Sequence, residues 1–359
     1  MDARIGDLQG IAEQSLIRIH KAQGEAQARA WDDFVEKHPE CSNYHRWGWK
    51  HAIERGLRWP TFYLMAEDHG GVRGILPLVW QKSQLFGSFV TSLPFLNCGG
   101  VVAETQEAKE ALVAEAVTIA KEKGAKYLEL RQRSDPGLSL PVKTHKVAMV
   151  LPVESDSEKM WGALPHKVRT DIRKSMKADL TAEFGGADKL DVFYEVFAKN
   201  MRDLGTPVYG KKFFAEILRA LPQDSHICVV RYQGRPVAVS FVSEYRGAAE
   251  ALWSSSDYDF SHLKPNMFLY WSILKYAAEK GWREFDFGRS TVGSGTHRFK
   301  KQWGSQEVPL HWAYWVPEGS PLPDLNIENP RYERAIKVWQ KLPVGITKII
   351  GPPIVRCLP

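Results

Sequence analysis

Cysteine is scarce in these 359 residues, and Cys41, Cys98, Cys228 and Cys357 stand far apart. No two fall at the close spacing of a zinc ligand set or a redox pair, so no metal site is expected and the thiols read as reduced, in a cytoplasmic protein. No apolar run is long enough to cross a bilayer. The opening MDARIGDLQGIAEQ lacks a basic segment followed by an apolar core, so no secretory leader is expected. Heptad runs are missing too, which excludes a long coiled coil. Gly293-Ser294-Gly295 is followed by a basic segment, not by the apolar helix that a dinucleotide fingerprint requires.

What the chain does have is positive charge and aromatic rings. The net charge is +6 and the pI is near 9.0, a balance that favours an anionic partner: a phosphorylated substrate, RNA or a membrane surface. Thirteen tryptophans fit a core of large aromatics, or stacking surfaces for a substrate. With 44% hydrophobic and 25% charged residues, the length suggests two moderate domains.

The richest stretch is His262 to Gly304. Met267, Tyr270, Trp271, Leu274 and Ala278 recur at helical spacing from a start near Asn266, and Gly281 stops the helix. Arg283 to Phe287 then alternates like a strand. Beyond it come Gly288, Arg289, Ser290, Gly293, Gly295, His297, Arg298, Phe299, Lys300, Lys301 and Trp303. An aromatic strand ending in charge, glycine and cations is a way to build a polar site at a sheet edge.

Part of this stretch has an echo. Glu122-Lys123-Gly124-Ala125-Lys126 answers Glu279-Lys280-Gly281-Trp282-Arg283, and at the same offset Glu129 answers Asp286. Strands are expected at Phe62–Ala66, Val72–Trp80, Phe89–Leu93 and Tyr127–Leu130, with a helix over Gln106–Lys123. The second half repeats the order: strands at Ile227–Arg231, Pro236–Glu244 and Ala249–Ser254, the helix from Asn266, and the strand ending at Phe287. This order predicts a duplicated α/β unit, each copy with a parallel pair and a right-handed crossover. The expected division is a leader over 1–28, a first domain over 29–152, a second over 153–316 and a tail over 317–359 with one helix. No structure is expected for Gly351-Pro352-Pro353.

Between the halves, Leu164 to Lys177 reads as a basic helix with a thin seam of Val168, Ile172 and Met176. Lys167, Arg169, Arg173 and Lys174 fall on or near one face, with only Asp171 as internal counter-charge. That density suggests a phosphate-bearing ligand; a solvated face is the plainer account. Tyr209, in the loop Gly205-Thr206-Pro207-Val208-Tyr209-Gly210, could line an acceptor cleft or cap a turn.

Four stretches together resemble the FemAB family of acyl- and aminoacyltransferases, and especially its branch associated with exosortase (PEP-CTERM) and exopolysaccharide systems. They are Trp47-Gly48-Trp49 with Gly74-Ile75-Leu76-Pro77-Leu78; Leu93-Pro94-Phe95 running into Gly99-Gly100; Lys167-x-Arg169-x-x-Ile172-Arg173-Lys174; and Asp286-Phe287-Gly288-Arg289-Ser290 with Phe299-Lys300-x-x-Trp303-Gly304. The resemblance covers roughly residues 30–316. It implies two tandem GNAT-like domains of α/β (α+β) class, mixed sheets flanked by helices, and acyl transfer to an amine. It also implies that Lys300, the lysine after phenylalanine, stabilises the transition state. Two features of relatives are missing: the coiled-coil insertion of the peptidoglycan-bridge members, and the usual pyrophosphate loop of acetyl-CoA enzymes.

Acyl transfer needs a base, a stabilised oxyanion and a positioned donor. Lys300 is the candidate for the oxyanion or a donor phosphate. Asp286 is a base or a scaffold, Arg289 its partner or a phosphate ligand, and His297 an alternative base. Ser290, Gly293, Gly295, Arg298, Phe299, Trp303 and Tyr209, with the basic helix, would contact substrate. The expected enzyme takes acyl-CoA or aminoacyl-tRNA as donor substrate, holds no cofactor tightly, and acts on a phosphorylated or lipid-linked saccharide or peptide. Transfer RNA and peripheral membrane contact stay open as partners; DNA is not expected. The other readings are an acyl-CoA-dependent GNAT N-acetyltransferase with an altered phosphate loop, and a non-catalytic module binding RNA or another anion through the basic helix.

Overall fold

The computed structural model describes residues 16–83, 86–323 and 330–357; most of the expected leader lies outside them. The first half runs β1 (Arg18–Lys21), α1 (Gly24–Lys37), α2 (Gly48–Ala52), β2 (Thr61–Asp68), β3 (Gly71–Ser83), β4 (Gly87–Thr91), β5 (Val102–Ala103), α3 (Gln106–Glu122), β6 (Leu128–Gln132) and β7 (Val142–Pro152). Helices α4 (Ser157–Ala163) and α5 (His166–Met176) lead to the second half. There the order is β8 (Leu180–Gly185), α6 (Leu190–Asp203), α7 (Lys211–Ala220), β9 (Ser225–Tyr232), β10 (Arg235–Tyr245), β11 (Ala248–Ser256), α8 (Pro265–Glu279), β12 (Glu284–Asp286), β13 (Ser290–Thr291), α9 (Gly295–Lys301) and β14 (Gln306–Trp315). Two helices follow, α10 (Pro330–Gln340) and α11 (Val344–Val355).

The duplication reaches further than the sequence pattern shows. Strand, two helices, three antiparallel strands, crossover helix and parallel strand occur in both halves, β1 to β6 and β8 to β12. The helix ends match atom for atom. Gly124 N–H donates to Lys121 O at 3.0 Å and Ala125 N–H to Ala120 O at 2.9 Å; Gly281 donates to Ala278 O at 3.1 Å and Trp282 to Ala277 O at 2.9 Å. Both glycines sit at positive φ, 57° and 72°, where a side chain would be strained. Each crossover returns to a parallel neighbour, β4 to β6 and β11 to β12.

The strands form one mixed sheet in the order β1-β2-β3-β4-β6-β14-β7-β12-β11-β10-β9-β8, with β13 on β7 and β5 on β3. The last strand of each half crosses to the other. β7 follows β6 in the chain but pairs with β12, and β14 follows β12 but pairs with β6. β7 and β14 then pair with each other at the centre. The sheet is therefore continuous through Val142–Pro152, and helices cover both faces.

One expectation needs correction. Gly351-Pro352-Pro353 lies inside α11, not in irregular chain. The segment over Gly295–Lys301 is a helix, capped by the Ser294 hydroxyl accepting the His297 N–H at 3.2 Å. Helix α9 is anchored by aromatic packing. Phe299 lies 5.7 Å from Tyr270, and Trp303 lies 5.7 Å from Phe287. Trp303, Phe285 and Phe287 are almost wholly buried, each contributing roughly 1.5–3 kcal/mol by area. The first half joins β6 to β7 by residues 133–141 without a helix, so α9 has no counterpart there.

Candidate active site between the halves

Strand β12 sets the first carboxyl. Its parallel register with β11 puts Asp286 beside Glu250. The Asp286 carboxylate accepts the Gly288 N–H at 2.8 Å and the Met149 N–H of β7 at 3.2 Å. Glu250 accepts hydrogen bonds from the Tyr44 hydroxyl and the Asn97 amide, both short and both from the first half. Two carboxyls so placed cannot both ionise freely. Burial, and then the neighbouring Asp286, push Glu250 up to about 8, and burial raises Asp286 as well.

Lys300 faces this pair from α9. Its ammonium donates to the carbonyls of Gly288 at 2.8 Å and Arg289 at 3.0 Å. Burial lowers it to about 8, against the pull of Asp286 and Glu250. Gly288 is at φ 79°, and a Cβ there would meet the Ala251 carbonyl at 3.0 Å and lie 3.8 Å from Lys300 Nζ. Glycine is what lets the strand end curl under the lysine.

Arg289 points the other way along the crevice. Its guanidinium lies 5.2 Å from the Trp312 ring, and Arg131 of β6 lies 4.5 Å from the same ring. Burial and then Arg131 lower Arg289 to about 10. Arg131 is held by Glu129 at 2.7 Å and donates to the Leu96 carbonyl at 2.8 Å. Leu96 belongs to the loop after β4, in which Leu93 and Phe95 take positive φ, 52° and 70°. Bulky residues there cost about 1–3 kcal/mol each, a strain that tends to gather at functional sites. Phe95 meets Tyr209 edge-on at 4.7 Å, so this loop and the Tyr209 loop pack against each other. Burial pushes the Tyr209 hydroxyl up to about 12. Glu250, Arg289, Lys300 and Tyr209 all keep partial exposure. Beside them, Cys98 and Arg133 line a cavity of about 70 Å³, and the Arg133 guanidinium acts electrostatically on Asp286, opposing the effect of burial.

The structure thus brings Lys300, Asp286, Arg289 and Tyr209 together. It places the other candidates elsewhere. His297 is buried at the start of α9, where its Nδ1 accepts the Gly293 N–H at 3.3 Å and its Nε2 lies 3.2 Å from Glu307. Arg298 is exposed and donates to the Gly293 carbonyl at 2.5 Å; Gly295 is exposed too. Phe299 and Trp303 pack inward, and Ser290 has a buried hydroxyl without a partner among the described residues. On α5, Lys167, Arg173 and Lys174 are exposed, while Arg169 is half-buried with its Nε unpartnered among the described residues. Arg173 stacks 5.2 Å over Trp161, and Asp171 pairs with Lys264. The N-terminus of α5 abuts the turn that follows α9, since a Cβ on Gly304 would lie 3.8 Å from Pro165.

Residues 166–301 match the acetyltransferase (GNAT) domain family. The matched segment runs from α5 through α9 and contains Glu250, Asp286 and Lys300. It makes the second half a transferase domain. FemX is similar in fold, at 16% identity over 84% of this chain and 97% of that one, with a TM-score of 0.63. A tandem GNAT protein from the clavulanic acid pathway matches 86% of this chain and all of its own, at 12% identity and a TM-score of 0.51. L-PGS from Bacillus licheniformis matches at 13% identity over 92% and 98% of the two chains, with a TM-score of 0.55. No curated protein sequence matches the chain. The tandem GNAT-like fold is therefore shared with several solved structures.

Three members of the site were not expected there from sequence: Glu250, Tyr44 and Asn97. Glu250 carried one usable signal, a lone carboxylate in the otherwise small and apolar strand Ala248-Ala249-Glu250-Ala251-Leu252.

Proposed function

We propose that the chain is a FemAB-type acyltransferase that moves an acyl or aminoacyl group onto an amine of an envelope or exopolysaccharide precursor. The observation that carries this reading is a desolvated lysine facing the Asp286 and Glu250 carboxyls where the two halves meet. The incoming amine attacks the donor carbonyl; a C–N bond forms, and the carboxyl pair takes the nitrogen's proton. Lys300 stabilises the oxyanion, being pre-aimed and partly stripped of water. When the intermediate collapses, the bond to the leaving group breaks and that proton can go to it. Arg289, Tyr209 and the cationic face of α5 are assigned to phosphate or acceptor binding.

The match to an acetyltransferase domain favours acyl-CoA as donor, while the likeness in fold to FemX and to L-PGS supports an aminoacyl donor. Thermal shift with acetyl-CoA, longer acyl-CoAs and aminoacyl-tRNA separates the two. Transfer should then be assayed with the stabilising donor and a panel of amino sugars and peptides. Lys300→Met is expected to lower kcat by about 10²–10³ with an unchanged circular dichroism spectrum. A Lys300→Met protein as active as the parent would overturn the reading.

A further inference from the structure

Helix α11 turns an apolar stripe away from the protein. Its Thr347, Gly351 and Val355, four residues apart, are buried and dock it on the second half. Gly351 is what allows this close approach, because a Cβ would meet Val208 N at 3.0 Å. On the other side Ile346, Ile349, Ile350 and Ile354 are exposed, Ile349 at 75%. Spacings of three and four place these isoleucines along one stripe. Monomeric soluble proteins rarely leave four large aliphatics in a row uncovered, and such a stripe marks an interaction surface.

The chemistry around the stripe selects the partner. Residues 341–357 contain no aspartate or glutamate. Lys341 stands exposed before the helix and Arg356 follows it, while Lys348 lies on the flank, paired with Glu195 and 5.8 Å over Tyr194. Apolar residues on one face, cations at both ends and no acid of its own are the features of a helix that lies in the plane of an anionic bilayer. Twelve residues span only about 18 Å, too short to cross, and no helix among the described residues is long and apolar enough to do so. Pro352 and Pro353 have no N–H, so the carbonyls of Lys348 and Ile349 lack helix donors. Such carbonyls are tolerated at headgroup depth, where water reaches, and not in hydrocarbon.

We infer that α11 seats this protein on an anionic membrane surface by its isoleucine stripe. The inference does not depend on the chemistry proposed above. It presents the enzyme to a surface where lipid-linked acceptors would reside.

The test is co-sedimentation of the full chain with vesicles of phosphatidylglycerol and phosphatidylcholine, and with phosphatidylcholine alone, at low and at physiological salt. The parent should pellet with the anionic vesicles and less so as salt rises. Ile349→Asp with Ile350→Asp should weaken this at least about tenfold, with an unchanged melting temperature. The milder Ile349→Ser serves if the double variant folds poorly. Three results overturn the inference: no pelleting of the parent, equal pelleting of parent and variants, or a parent dimer that the variants split while neither binds vesicles. The last would assign the stripe to a second copy of this chain.

Discussion

The two halves differ most at one pair of equivalent strand ends. On β6, Glu129 is followed two residues later by Arg131, and the two form a buried ion pair at 2.7 Å. Tyr314 closes the other side of Glu129 at 2.7 Å. On β12 the equivalent carboxylate is Asp286, and the position of Arg131 is taken by Gly288. The parallel neighbours differ in the same sense: Thr91 stands beside Glu129, Glu250 beside Asp286. The first half neutralises its carboxylate internally. The second adds another carboxyl, removes the arginine, and brings in Lys300 on a helix the first half does not have. A duplicated scaffold has kept one copy as a wall and left the other electrostatically unbalanced, which is the condition for proton transfer.

The strongest way to break this comparison is to remove the imbalance. Asp286→Asn should cut transfer by about 10²–10⁴-fold, the range for a lost base. The pH profile should be a bell near 8. Raising pH through about 8 deprotonates the carboxyl pair and gains activity, while the same rise removes the Lys300 charge and loses it. Glu250→Gln takes away a like charge, so Asp286 ionises more easily and the acid limb should move to lower pH. An acid limb that stays fixed in Glu250→Gln would assign it to another group.

The first half should answer in stability instead. Arg131→Met leaves Glu129 buried without a counter-charge, its one remaining side-chain partner among the described residues the Tyr314 hydroxyl, a loss of about 3–5 kcal/mol by chemical denaturation. Turnover per folded molecule should stay within a few-fold. If Arg131→Met instead abolished turnover while folding normally, the wall would have to be counted as catalytic.

A smaller effect is expected at Gly288. Alanine there meets the Ala251 carbonyl at 3.0 Å in a positive-φ position, costing about 1–3 kcal/mol. It should also displace Lys300, whose ammonium bonds the Gly288 carbonyl, so kcat should fall along with stability. Unchanged kcat in a destabilised Gly288→Ala would separate the strand end from the chemistry.

How much of this could be read in the sequence follows from distance along the chain. Asp286, Arg289 and Lys300 lie within fifteen residues, and helix, strand and glycine punctuation mark them. The capping glycines Gly124 and Gly281 exposed the repeat because their residue type is fixed by local backbone geometry. Glu250 meets Asp286 only through the β11–β12 register, and Tyr44 and Asn97 reach it across 206 and 153 residues. No local pattern encodes such meetings. Strand β7 escaped notice because its first residues, Val142-Lys143-Thr144-His145-Lys146, are largely polar and only its second half is buried. Helix α11 was hidden by the paired prolines, which are tolerated because it is docked by Thr347, Gly351 and Val355.

The smallest expected change is on α5, where the sequence shows most charge. Lys167 and Arg173 are exposed, and Val168 and Ile172 beneath them carry the packing. Replacing both cations by glutamine should therefore move stability by only about 0.5 kcal/mol. If this face receives a phosphate-bearing substrate, the apparent KM should rise several-fold at low ionic strength and converge on the parent's at high salt, where screening hides the lost charges. A salt-independent change would mean that the two side chains act by shape. No change at all would leave the face as solvated charge, and would confine recognition to Arg289, Tyr209 and the walls that the first half supplies.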